Sequence, residues 1–204
     1  AREIELHHRR KLGEGAAAQI HFLQRFGSSL NLHLHVHAVV SDGVFRASPG
    51  PLGGRRLEFL PADPPSEEDL AGLVDSVRRK LLRRFLCLGV IGPDTVREML
   101  AWKHSGFSVH ARTVASQGDR AALERLLYYC GRPAVSVKRL TYLKEEGLAV
   151  YETLDKALGP KRLVLEPVEF IERLARLIPP PRKNVVRYYG ALGPNSPLRP
   201  LLNE

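Results

Sequence analysis

The sequence predicts an α+β fold, on three observations. Leu32 to Val40 (LHLHVHAVV) alternates residue by residue, as a strand does. Ser66 to Leu88 opens on Glu67, Glu68 and Asp69 and ends on RRKLLRRFLCL, the charge order that complements a helix dipole. Short Gly, Ser, Asp and Pro clusters separate such stretches and mark turns.

Taken in order, residues 1–15 are polar and basic and read as a lead-in. Ala16 to Phe26 reads as a strand, and Gly27-Ser28-Ser29 as a turn. After the strand at Leu32 to Val40, Ser41-Asp42-Gly43 turns the chain and Val44-Phe45-Arg46 begins a return, a hairpin in outline. Residues 47–65 are rich in Pro and Gly and read as loop. The helix from Ser66 is closed by Gly89, and a short helix follows Pro93. Ser108 to Ala115 alternates like a strand. Asp119 to Cys130 reads as a helix stopped by Gly131 and Pro133. Residues 134–165 read as short strands and turns. Pro167 to Ile178 reads as an amphipathic helix with Pro where the first turn tolerates it. The expected organisation is one domain over 1–178 and a Pro-rich, basic, extended tail over 179–204.

The 204 residues suffice for a real core, and 44% apolar with 26% charged residues is ordinary for a globular chain. The balance of 31 Lys and Arg against 22 Asp and Glu is not ordinary. A net charge of +9 favours a polyanionic partner such as nucleic acid. Two distant cysteines, Cys87 and Cys130, exclude a disulfide scaffold or a cysteine zinc cluster within this chain. With no long apolar run and no signal-peptide core, a cytoplasmic location away from membranes is expected. The chain opens on Ala1 rather than Met, which suits a piece of a longer protein.

His33, His35 and His37 are spaced two apart, so on a strand they share one face, while Leu32, Leu34, Val36 and Ala38 take the other and can pack inward. Neutral imidazoles so placed can converge on a divalent ion able to polarise a phosphate oxygen. The plainer alternative is a half-exposed strand face that happens to carry histidines. On the helix from Asp119, Leu123, Leu126, Leu127 and Cys130 form the apolar stripe. Tyr128 and Tyr129 fall off it, and Arg125 shares a face with Tyr129 four residues on. A tyrosine beside a cation and a metal could attack phosphorus. On pattern alone, aromatic rings at the rim of a core is the simpler reading. Two basic segments are candidate phosphate contacts: Arg78, Arg79, Lys80, Arg83 and Arg84, and Arg182, Lys183 and Arg187. A solvated helix face explains the first equally well.

Four blocks carry a family resemblance: QIHFLQRFGSSLNLHLHVHAVVSDGVF, SGFSVHARTVA, LERLLYYCGRP and EFIERLARLIPPPRKNVVRYYGALGPNSPLR. Together they resemble rolling-circle transposases of the insertion-sequence 91 type and their common-region relatives, from about Ala16 to Leu202. The resemblance implies an antiparallel sheet flanked by helices, the HUH endonuclease core shared with replication initiators. It implies a transposase that nicks and rejoins single-stranded DNA or hairpin element ends through a 5′-phosphotyrosine. It implies Mg²⁺ or Mn²⁺ on two histidines. The interval back from Asp42 selects His35 and His37, leaves His33 as an extra, and suggests Gln24 from the preceding strand as third ligand. Register with Arg132-Pro133 selects Tyr129 as nucleophile; Arg125 and Arg132 near it, and Arg79, Arg83, Arg84, Arg182, Lys183 and Arg187 of the basic segments, are the candidate DNA contacts.

The chain departs from that pattern twice. Many members carry two tyrosines three residues apart, but Arg125 stands where the first would be, so this is a single-tyrosine chain. Members often carry an N-terminal cysteine-rich zinc module, which is not present here. Two rival readings stay open: a decayed transposase fragment that only binds DNA, and a plasmid-type replication-initiator nickase.

Overall fold

A computed structural model describes residues 1–50, 53–103, 105–155 and 159–202. The fold is α+β, with antiparallel pairing in two of its three sheets. The chain divides into two compact units. Unit 1 comprises Ala1–Gln19, Val40–Gln117 and Tyr188–Glu204; unit 2 comprises Ile20–Val39 and Gly118–Arg187. Strands β1 (Ala18–Phe26), β2 (Leu32–Val40) and β8 (Val186–Gly190) form a sheet in the order β2-β1-β8, and each runs from one unit into the other.

Unit 1 begins with α1 (Arg2–Leu12). The lead-in expected over 1–15 is therefore mostly helical. Helix α1 lies along α2 (Glu67–Cys87), where Glu3 accepts from Ser76 and Lys80, and Lys11 reaches Asp69 at 2.9 Å. These partners come from residues more than 50 positions away, which no local reading of a polar segment can see. Helix α2 starts as expected. Ser66 Oγ accepts from the Asp69 amide at 3.1 Å while Asp69 accepts from the Ser66 amide at 2.9 Å, a reciprocal capping box. Helix α3 (Pro93–Ala101) follows.

The expected hairpin is replaced by another. Strand β3 (Gly43–Pro49) pairs with β4 (Arg55–Pro61), from Gly43↔Pro61 to Pro49↔Arg55, and not with β2. So the span 47–65, expected as loop, holds a strand. Gly43 explains the redirection: at φ 155° its missing Cβ leaves room for the Leu60 carbonyl. The strand expected at Ser108 to Ala115 is absent, and the segment is irregular and mostly exposed. Alternation predicts a strand only where a neighbour completes the ladder.

Unit 2 is built on an antiparallel meander of β5 (Leu140–Leu143), β6 (Leu148–Asp155) and β7 (Gly159–Leu165). Helix α5 (Pro167–Leu177) packs on it through Phe170 and Leu174. The core joins Leu30, Ala149, Tyr151, Leu165 and Phe170. Leu30 has φ 55°, costing about 1–2 kcal/mol for a residue with a Cβ. Complete burial of its side chain returns about 2 kcal/mol and fixes the 27–31 turn. Helix α4 (Arg120–Cys130) is capped by Asp119, which accepts from the Ala122 amide at 2.8 Å. Its stripe is shallower than expected, since Cys130 is buried but Leu123 is 41% exposed. Within the span 179–204, expected as an extended tail, lie β8 and a 3-10 turn at Pro200–Leu202.

Candidate active site

Unit 2 brings β1, β2 and the end of α4 together. The three histidines do share a face: ring centroids are 5.2 Å apart for His33–His35 and 4.9 Å for His35–His37. The opposite face does not pack inward as expected. Leu32, Leu34 and Val36 are 59%, 67% and 52% exposed. Alternation separates two faces of a strand without saying which one the fold covers.

The histidine face meets the tyrosine helix. His37 and Tyr129 stand edge to face, centroids 5.4 Å apart, and the Arg132 guanidinium lies 4.9 Å from the Tyr129 ring centre. Phe26 contacts His35 from β1 at 6.5 Å. Gln24, also on β1 and 4% exposed, donates from Nε2 to the Cys130 carbonyl at 2.7 Å. Gly131 follows α4 and lies beside Phe22 of β1.

The protonation pattern suits ligands. His35 Nδ1 lies 3.1 Å from the His33 carbonyl, which can only accept, so in the neutral ring the proton sits on Nδ1 and Nε2 is the free nitrogen. Burial first, then the neighbouring His35 and Arg132, lowers the His37 pKa, so its ring is neutral near pH 7. Two buried polar atoms here lack a hydrogen-bond partner: Gln24 Oε1 and His37 Nε2. Gln24 Oε1 can only accept, and His37 Nε2 offers a lone pair in the Nδ1–H tautomer, so the two could face one cation. Among the described residues no group of three or more His, Cys, Asp or Glu is placed to hold a metal. A site here rests on two imidazoles and an amide oxygen.

The remaining candidates are scattered. Tyr128 is 84% exposed. Arg125 is exposed one turn before Tyr129. Tyr188 and Tyr189 lie on β8 in unit 1. On α2, Arg79 is paired with Asp75 at 2.6 Å and Lys80 with Glu3, and Arg78 is buried on the Trp102 carbonyl and Asp75. Arg83 and Arg84 are exposed with no ion pair among the described residues. Arg182 and Lys183 are exposed, and Arg187 donates to the Asn184 carbonyl. Sequence reasoning missed the stacking of Arg132 on Tyr129 and the tether from Gln24 to Cys130. The only local signal for either was Gly131, which ends the helix.

The family described as "Putative transposase" matches residues 19–198, which include every strand residue and helix residue of this cluster. The chain belongs to that transposase family. No curated protein and no solved structure matches it. As a transposase it processes DNA, and its basic surface and exposed arginines accord with that partner. Among the described residues no helix is long and apolar enough to cross a membrane.

Proposed function

We propose that this chain nicks and rejoins single-stranded DNA by rolling-circle transposition of the insertion-sequence 91 type, on an HUH endonuclease core spanning 1–178. The carrying observation is the contact of His37 with Tyr129, beside the unpartnered His37 Nε2 and Gln24 Oε1. The Tyr129 oxygen attacks a backbone phosphorus. A P–O(Tyr) bond forms, the P–O3′ bond breaks, and the phenol proton goes to the departing 3′ oxygen. The 5′ phosphate stays on Tyr129 until a 3′ hydroxyl reverses the step. Mg²⁺ or Mn²⁺ held by His35, His37 and Gln24 would polarise a phosphate oxygen and offset the charge that builds at phosphorus. Arg132 and Arg125 hold the scissile phosphate. Arg79, Arg83, Arg84, Arg182, Lys183 and Arg187 contact other DNA phosphates.

The test is a denaturing gel of the protein incubated with end-labelled single-stranded DNA, with Mn²⁺ or with chelator. A Mn²⁺-dependent covalent band is expected. Tight DNA binding with no band from folded, Mn²⁺-loaded protein would favour a decayed, binding-only transposase.

A further inference from the structure

We propose that Gln24 is a positioning residue that couples metal occupancy to the end of the nucleophile's helix, an inference that rests on the metal reading above. Its amide is shared between two tasks. Nε2 holds the Cys130 carbonyl at 2.7 Å. That carbonyl is one of the last in α4 and has no partner within the helix, so the tether secures the turn that carries Tyr129. A carbonyl only accepts, so this bond decides which end of the amide is which, and Oε1 must face away from the helix. Oε1 is buried and unpartnered, as is His37 Nε2, and the His37 ring touches the residue next to Cys130. One cation accepting from both atoms, with His37 as the Nδ1–H tautomer, would satisfy both and fix the Gln24 side chain. The tether then transmits that rigidity to Leu127–Gly131, so the tyrosine is held more firmly when the metal is bound. Arg132, stacked on the Tyr129 ring, holds the other side of the same turn.

Hydrogen exchange of the whole chain without DNA, with and without Mn²⁺, tests this by a readout separate from cleavage. Binding of Mn²⁺ itself is followed by calorimetry. In the unaltered protein, Mn²⁺ is expected to slow exchange of the amides over 127–131 about tenfold. Gln24→Glu keeps a ligand oxygen but has no N–H for the Cys130 carbonyl. It should bind Mn²⁺ and lose the slowing, with less adduct formed per bound metal. Two outcomes overturn the coupling while leaving the metal site standing: Mn²⁺ binds the unaltered protein without slowing those amides, or Gln24→Glu slows them as the unaltered protein does. If the unaltered protein does not bind Mn²⁺, the metal reading and the coupling fall together. The first arm needs no substitution, so a misfolded variant cannot shield the proposal.

Discussion

The end of α4 and the middle of α2 both carry residues singled out for DNA chemistry, and the structure treats them in opposite ways. On α2 the run of cations is largely answered. Asp75 takes Arg79 one turn on, Glu3 takes Lys80 from another helix, and Arg78 is spent on the Trp102 carbonyl. At the end of α4 the unpartnered buried atoms are Gln24 Oε1 and His37 Nε2, the kind that can face a cation, whereas on α2 the unpartnered buried atom among the described residues is the Arg78 Nε donor. A charge run counts residues, and its meaning depends on acids placed by the fold. A buried lone pair without a donor costs about 1–3 kcal/mol unless a water or a ligand satisfies it.

The sharpest contrast should come from substitutions at the α4 site. Tyr129→Phe should lower adduct formation by about a thousandfold or more while DNA binding survives, measured by gel and by filter binding. Tyr128→Phe should leave both unchanged, because its ring points to solvent. A smaller loss is expected from His37→Ala and His35→Ala, each abolishing the Mn²⁺-dependent part of cleavage, with His33→Ala reducing it modestly. Full activity in the double variant at His35 and His37 would erase the difference between the two regions.

On α2 the effect should be graded by partner. Neutralising Arg83 and Arg84 together should weaken DNA binding and lower the log–log salt slope by about 1.4, at about 0.7 per phosphate contact on a single strand. Arg79→Ala should change the slope least, since Asp75 already offsets its charge. Equal effects from Arg79 and Arg83 would show the ion pair to be irrelevant to binding.

The smallest effect concerns pH. Burial lowers the His21 pKa to about 4, whereas the unfolded chain protonates it near about 6.5. The folded form excludes a proton that the unfolded form takes up, so this contribution to stability is present above that range and is lost as pH falls towards 4. His21→Gln should flatten the fall in melting temperature over this window. An unchanged profile would assign the acid sensitivity to other groups.

Where local rules are complete, the sequence was legible. The capping acids of α2, the Asp119 cap of α4 and the Pro167 start of α5 need only neighbours in the chain. The histidine face followed from a period of two. What could not be read depended on distant partners. Helix α1 rests on α2, β3 turns to β4 instead of β2, and Ser108 to Ala115 finds no ladder. The site divides the same way. The residue types at Gln24, His37, Tyr129 and Arg132 were visible in the sequence. Their convergence on the last turn of α4, and the two unpaired lone pairs, exist only in the fold.

Mapping the DNA-linked peptide tests the central claim most directly. Protein reacted with single-stranded DNA and Mn²⁺ is digested, and the nucleotide-bearing peptide is sequenced by fragmentation that separates Tyr128 from Tyr129. The account predicts the nucleotide on Tyr129 alone. A nucleotide on Tyr128, Tyr188 or Tyr189 would contradict it.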